Sequence, residues 1–223
     1  MGTTSFLGDA WSRYLAFAQE RPDCFVQSPE LEILFDEQAV EDYQAATGVT
    51  IGVVYESKYN TLVVDLVRNA AGKTFAFERL IPTATGPGVV IVPQFEGRFL
   101  LLRQYRHSMR DYQYAFPRGY GEDGIGAADN ARKELSEELN ATARKVELLG
   151  KTVANSGISG AEVSVFLCEI DSYVFKAGYE EITGVVALGP QELEQWIAEG
   201  RINDGFTLAA WTLLKSKAVL PYA

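Results

Sequence analysis

The apolar positions near the start of the chain recur with the period of an α-helix. Tyr14 and Ala18 follow Trp11 at spacings of three and four, which places the three side chains on one helical face. Asp36 can accept a hydrogen bond from the first turn of a second helix, and Gly48 can end that helix in the left-handed conformation. The pattern therefore predicts two helices before the first strand.

From Thr50 onward the period changes to two, which is the period of a strand with one buried face. The alternating runs 51–56, 59–67 and 73–80 are separated by short polar turns and predict three strands. A Pro- and Gly-containing segment, Pro82–Pro87, then interrupts the pattern. We place the boundary there, which gives an N-terminal region at 1–82 and a second domain at 83–223.

The second domain alternates strand and helix patterns. Mixed strands with helices on their faces predict an α/β or α+β fold. The predicted strands are 88–92, 99–106, 112–116, 146–154, 162–170 and 184–188, and the predicted helices are 127–139, 191–198 and 206–216.

Composition narrows the possible partners. The chain has 223 residues and a net charge of −10, which argues against binding to nucleic acid or to an anionic membrane surface. A small phosphate substrate remains compatible, because metal ions and a few arginines can reverse the charge locally. Two distant cysteines suggest neither a zinc site nor a disulfide framework, and the N-terminus lacks the pattern of an export signal. We therefore expect a cytoplasmic protein.

The predicted helix at 127–139 carries three glutamates. Glu134, Glu137 and Glu138 stand at i, i+3 and i+4 and share one face, beside an apolar stripe that suits docking on a sheet. Like charges so close oppose helix formation unless a cation lies among them, and clustered carboxylates suit Mg²⁺. A solvated acidic face is the alternative interpretation.

A glycine-rich turn precedes this helix. Gly119, Gly121 and Gly124 have the G-x-G-x-x-G spacing of a dinucleotide-binding loop, which makes a nicotinamide-dependent oxidoreductase a second hypothesis. The absence of a clear βαβ unit weighs against it, and so do the glutamates on the helix that follows.

The turn and the helix together resemble the Nudix hydrolase motif, G-x5-E-x7-R-E-U-x-E-E-x-G-U, where U is a bulky aliphatic residue. Gly119 matches the first glycine, and Glu134-Leu135-Ser136-Glu137-Glu138 matches the catalytic centre in register. The resemblance implies the Nudix fold, an α+β structure arranged as an α/β/α sandwich with a mixed sheet between helices. The helices and antiparallel strands of 1–82 are an N-terminal extension of that fold.

Four positions depart from the motif. Ile125 stands where the first glutamate belongs, although Glu122 lies nearby, and Lys133 replaces the arginine. Asn140 replaces the closing glycine, a mild change because Asn tolerates the left-handed conformation of a helix end, and Ala141 is small. The first two departures make a non-catalytic module that senses a nucleotide ligand a third hypothesis.

Other segments resemble the ADP-ribose and nucleoside-diphosphate-sugar pyrophosphatases of this family. They are Leu102-Arg103-Gln104-Tyr105-Arg106, the loop from Ala154 to Glu162, and the segment from Ile197 to Leu208. The resemblance implies hydrolysis of the pyrophosphate bond in a nucleoside diphosphate linked to another moiety, most simply ADP-ribose or a related nucleotide sugar.

The resemblance also implies roles for individual residues. Glu134 and Glu138 would be the main ligands of Mg²⁺ or Mn²⁺, with Glu137 as a third and the backbone carbonyl of the turn at Gly119 as a further one. The catalytic carboxylates would be Glu137, Glu138 and Glu162, the last acting as a base from the second loop.

The substrate-binding candidates are three arginines. Arg103 and Arg106 lie an odd number of residues apart, so one strand cannot direct both to the same face, and we favour Arg106 for the diphosphate. Arg118 stands where these enzymes usually carry alanine and would add positive charge beside the phosphates. By the same resemblance we expect a homodimer in which the partner's N-terminal region helps to close the nucleotide pocket.

Overall fold

The computed structural model describes residues 8–217. It divides into two compact units, one formed by Met1–Thr83 with Asn155–Gly160 and the other by Ala84–Ala154 with Ala161–Ala223. Residues 1–7, which entered the expectation about export, and residues 218–223 lie outside the described residues. Within 8–217, no helix is long and apolar enough to cross a membrane.

The first unit contains both helices that the sequence predicts. Asp36 caps the second helix by accepting a hydrogen bond from the backbone N–H of Ala39 at 2.8 Å, and Gly48 ends it with φ of 72°. The elements of this unit are α1 (Gly8–Glu20), a 3₁₀ turn (Pro22–Phe25), β1 (Leu31–Ile33), α2 (Glu37–Thr47), β2 (Gly52–Glu56), β3 (Asn60–Asn69) and β4 (Thr74–Pro82).

Strand β3 organises the sheet of the first unit. It pairs along its length with β4 on one side, and on the other side with β2 and then β1, always antiparallel. The core beneath includes Trp11 and Tyr14 of α1. One buried carboxylate, Asp65, accepts hydrogen bonds from the hydroxyl of Tyr14 and the guanidinium of Arg79. Its negative charge is therefore paired within the first unit.

The second unit contains every strand and helix predicted after residue 87, with ends that differ by a few residues, and one short strand that was not predicted. That strand, β8, consists of two residues, and the second of them is the first glycine of the glycine-rich turn. The elements are β5 (Gly88–Phe95), β6 (Arg98–Arg106), β7 (Asp111–Ala115), β8 (Arg118–Gly119), α3 (Ala127–Leu139), β9 (Ala143–Val153), β10 (Glu162–Ile170), β11 (Ile182–Leu188), α4 (Pro190–Ala198) and α5 (Gly205–Ser216).

The sheet of the second unit is mixed and lies between two layers of helix. Its order is β11-β6-β5-β10-β9, with β5 and β10 parallel, β7 added to β6 and β8 added to β5. One face packs on α3 through Ala131, Leu135 and Leu139, and the other face packs on α4 and α5 through residues such as Leu193 and Trp211. The predicted α/β/α sandwich is confirmed.

Helix α3 ends as the motif comparison anticipates. Asn140 adopts the left-handed conformation with φ of 49°, and its backbone N–H bonds to the carbonyls of Leu135 and Ser136. Asn reaches this region more readily than most residues, so it can replace glycine here at small cost. The apolar stripe of α3 thus docks on the sheet and fixes the direction in which the adjoining glutamates point.

Candidate active site

Gly119 of β8 lies directly against Glu134 of α3. A Cβ atom built on Gly119 would come within 1.9 Å of Oε1 of Glu134. Any side chain at position 119 would therefore displace the carboxylate. The glycine at this point of the turn allows the strand and the glutamate to approach each other, which is a physical reason for the spacing between them.

A buried asparagine ties the same turn to the helix. The Asn130 side-chain amide donates to the carbonyl of Tyr120 at 2.8 Å and to the carbonyl of Pro87 at 3.2 Å. Asn130 is fully buried on α3. Its amide nitrogen is paired with both carbonyls, whereas its Oδ1 is buried without a hydrogen-bond partner. The amide thus joins the turn, the helix and the start of β5.

Glu134 and Glu138 are buried carboxylates on one face of α3, with only 8% and 5% of their surface exposed. Burial, with the charge of Glu137, raises the pKa of Glu134 to about 7. Burial, with the charges of Glu134 and Glu180, raises the pKa of Glu138 to about 8. Burial thus destabilises the ionised form of both carboxyl groups, and a nearby cation would stabilise it.

The donor set suits a divalent cation. Oε2 of Glu138 is buried and has no hydrogen-bond partner, so its lone pairs are available to a cation. Carboxylate oxygens are the ligands preferred by Mg²⁺ and Mn²⁺. Within 8–217, however, no three or more His, Cys, Asp and Glu side chains form a group that could hold a metal ion. Glu134 and Glu138 therefore form the paired core of the candidate site.

Glu137 points to other partners. Its Oε2 lies 3.5 Å from Nζ of Lys133, as the spacing of the two residues predicts, and it accepts a hydrogen bond of 3.3 Å from the hydroxyl of Tyr179. Lys133 also pairs with Glu122 of the glycine-rich turn. The lysine that replaces the motif arginine thus links the turn to the helix, and Glu137 would have to leave these partners to bind a metal.

Two guanidinium groups border the glutamates. Burial and the charge of Arg118 lower the pKa of Arg106, while the charges of Asp204, Glu138 and Glu180 act in the opposite direction. Nε of Arg106 is buried without a hydrogen-bond partner. A phosphate group would supply an acceptor for this N–H group.

Arg118 is held by the start of α5. Its Nη1 lies 3.0 Å from Oδ1 of Asp204, whose other oxygen caps the helix by accepting from the backbone N–H of Thr207 at 2.9 Å. The guanidinium also lies over the ring of Phe206, 5.3 Å from its centre. These contacts give a physical role to the Asp204-Gly-Phe-Thr207 segment, which the sequence connected to the family without a mechanism.

The side chain of Arg103 contacts residues outside the group of candidate metal ligands. Its guanidinium stacks on the ring of Tyr112 at 3.7 Å from the ring centre and donates to Oγ1 of Thr183 at 2.9 Å. Alternation along β6 explains why Arg103 and Arg106 meet different neighbours. The charge of Glu138 acts on Arg106.

The structure places the predicted base, Glu162, at the start of β10. Its Oε1 lies 2.6 Å from Nζ of Lys151, and both side chains are about half exposed to solvent. The charge of Glu180, in the connection between β10 and β11, acts on both Glu134 and Glu138. Pattern analysis missed Glu180, since nothing in the local sequence distinguishes it from other loop glutamates.

The G-x-G-x-x-G spacing has a packing explanation. A Cβ on Gly121 would lie 1.7 Å from the carbonyl oxygen of Gly86, so that glycine is required by the chain itself. The second glycine of a dinucleotide fingerprint is needed because the cofactor approaches the backbone. The structure therefore gives no support to the oxidoreductase hypothesis.

Comparisons with known proteins agree with this geometry. A family model described as the NUDIX domain matches residues 83–205. A solved structure described as the crystal structure of an ADP compounds hydrolase superposes with a TM-score of 0.65 at 18% sequence identity. The superposition covers 75% of this chain and 93% of that one, and at this identity it shows a shared fold. A search of curated proteins found no match.

Proposed function

The chain belongs to the Nudix family, and from this premise we propose that it hydrolyses ADP-ribose or a related nucleotide sugar with the help of a divalent metal ion. The expected enzyme class, a Nudix pyrophosphohydrolase, is confirmed by the family match. One observation carries the proposal furthest: the charge of buried Glu138, which lies with buried Glu134 on one helix face, acts on Arg106, so a candidate metal ligand and a candidate phosphate-binding group interact.

Glu134 and Glu138 would hold Mg²⁺ or Mn²⁺. Both donors are buried on one helix face, and Glu138 has an unpartnered oxygen. Glu137 is a third candidate ligand, and the backbone carbonyl of Gly119 is a fourth. A divalent cation supplies Lewis-acid polarisation of the phosphoryl oxygens and increases the acidity of water.

Arg106 and Arg118 would receive the diphosphate. Two neighbouring guanidinium groups repel each other, and a phosphate between them relieves that repulsion while it accepts their N–H groups. Asp204 holds Arg118 in place before substrate arrives. Arg103, the third arginine that the sequence proposes, contacts Tyr112 and Thr183 in the absence of substrate.

Two carboxylates compete for the role of base. The family resemblance favours Glu162, and its loop contains glycines that permit movement. The electrostatics favour Glu180, because its charge reaches both metal-binding glutamates. A base outside the metal-binding pair is required, since a bound cation lowers the pKa of its ligands strongly. Substitution of each in turn decides between them.

The proposed substrate class agrees with the solved structure, whose description names ADP compounds as its substrates. We further propose that the chain forms a homodimer through the 1–82 region, with the partner's copy of that region closing the nucleotide pocket. Assays of nucleoside diphosphate derivatives with and without divalent cation test the activity directly.

A further inference from the structure

The turn that carries Glu180 has a strained backbone. Within this acidic turn, residues 178–182, both Glu180 and Glu181 have positive φ, 45° and 59°. Residues with a Cβ pay about 1 kcal/mol or more each for the left-handed conformation. Two successive residues in this conformation are stable only when surrounding contacts hold them in place. The contacts of the acidic turn therefore indicate its role.

Strand β6 supplies one set of partners. The side-chain amide of Gln104 donates to the carbonyl of Glu180 at 2.6 Å, and the backbone N–H of Tyr105 donates to the carbonyl of Glu181 at 3.2 Å. A hydrogen bond of 2.9 Å from the N–H of Ile182 to the carbonyl of Tyr179 closes the turn. The bonds from Gln104 and Tyr105 hold the backbone of the acidic turn against β6.

The side chain of Tyr179 makes a polar contact with helix α3. The hydroxyl of Tyr179 donates to Oε2 of Glu137 at 3.3 Å, and that carboxylate is also near the ammonium of Lys133. Tyr179 directly precedes Glu180. A bond made here restricts the position of the Glu180 carboxylate relative to the helix that carries Glu134 and Glu138.

We infer that Tyr179 is a positioning residue that holds the acidic turn against α3 and so places Glu180 beside the metal-binding glutamates. The inference rests on the proposed function, in which Glu180 takes part in hydrolysis. Tyr179 has no assigned contact with substrate, so its effect on turnover passes through Glu180.

The chemistry of the phenol suits this task. A phenol hydroxyl can donate to a carboxylate, as this one does to Oε2 of Glu137. Its ring is 39% exposed and contributes little to the core. Removal of the hydroxyl alone therefore tests the contact without opening a cavity.

The experiment is a double-mutant cycle on turnover of ADP-ribose. Tyr179→Phe should lower kcat by about tenfold and leave KM within about twofold. In a Glu180→Gln background the same change should alter kcat by less than about twofold, whereas in a Glu162→Gln background it should retain its full effect. Tyr173→Phe, in the same connection with its ring packed on Phe95, is the matched control and should leave kcat unchanged.

A second measurement follows the turn itself. Amide hydrogen exchange of residues 176–182 in the metal-free protein should be faster in Tyr179→Phe than in wild type and unchanged in Tyr173→Phe. The inference is overturned if exchange does not change, if Glu180→Gln retains wild-type kcat, or if Tyr179→Phe lowers kcat equally with and without Glu180. An inactive wild-type protein would contradict the proposed function instead, while the exchange result would still decide whether Tyr179 holds the turn.

Discussion

Gly119 and Glu134 come so close that a methyl group on the glycine would overlap the carboxylate, with a Cβ-to-Oε1 distance of 1.9 Å. The two residues belong to different elements, β8 and α3, and their contact brings the glycine-rich turn to the helix face that carries Glu134 and Glu138. This contact depends on a missing side chain, so a small substitution can break it.

Gly119→Ala should therefore displace the Glu134 carboxylate and weaken metal binding by tenfold or more, on the order of 1.4 kcal/mol. Gly126→Ala is the matched control, because a Cβ at that position meets nothing within 4 Å and the backbone does not have positive φ. Calorimetric titration of both variants with Mg²⁺ gives the comparison. Equal affinities in the two variants would contradict the proposed place of Glu134 in the site.

The raised pKa values of Glu134 and Glu138 predict how stability depends on pH. In metal-free protein the folded state keeps protons on these groups that the unfolded state has released above about pH 4.5. Their contribution is therefore fully present below that pH and is lost as pH rises through about 7 and 8.

With chelator present, the Tm of wild type should fall between pH 5 and 8.5 by about 5 °C more than that of a Glu134→Gln, Glu138→Gln double variant. Gln keeps the size of the side chain and does not titrate. Mg²⁺ should restore the wild-type Tm most strongly at the higher pH. Parallel curves for the two proteins would show that these carboxyls do not titrate as their burial implies.

The identity of the base follows from three single variants. If Glu180 is the base, Glu180→Gln should lower kcat by about a hundredfold, a barrier of roughly 3 kcal/mol, and leave metal affinity within a few-fold. Glu181→Gln, the neighbouring residue of the same turn, should retain activity. Glu162→Gln tests the competing assignment: a large loss of kcat there, with Glu180→Gln unaffected, would assign the base to the loop before β10.

The proposed homodimer has a direct physical test. Light scattering coupled to size exclusion at micromolar concentration should give about twice the mass of one chain, 24.6 kDa. A chain shortened to residues 83–217 should then lose both dimerisation and affinity for substrate. A monomeric full-length protein with full activity would refute the role given to the N-terminal region.

The fold was predictable where local signals agreed with tertiary structure. Helix α3 has the predicted bounds because Ala131, Leu135 and Leu139 repeat at helix spacing on the face that docks on the sheet. Asp36 and Gly48 end α2 by capping interactions that depend on a few neighbouring residues. The bounds of such helices can be predicted from the local sequence alone.

The site was less predictable, because some of its residues are placed by distant contacts. The charge of Glu180 acts on Glu134 and Glu138 from a left-handed turn held by Gln104 and Tyr105, which lie far away in the sequence. Similarly, the loop at 155–160 bonds to β4 through Leu80 and Ile158, and no local pattern signals that pairing. Periodicity describes one element at a time and contains no information about such contacts.

The central claim is that the glutamates of α3 support metal-dependent hydrolysis of a nucleoside diphosphate derivative. The direct measurement is phosphate release, coupled to an added phosphatase, from a panel of nucleoside diphosphate sugars with Mg²⁺, with chelator, and with Glu138→Gln in place of wild type. Glu147→Gln, an exposed glutamate paired with Lys145, is the control variant. Wild type and the control should hydrolyse ADP-ribose with Mg²⁺ and lose activity with chelator, and Glu138→Gln should be slower by a hundredfold or more, about 3 kcal/mol. Turnover that persists with chelator, or a Glu138→Gln variant as fast as wild type, would contradict the account.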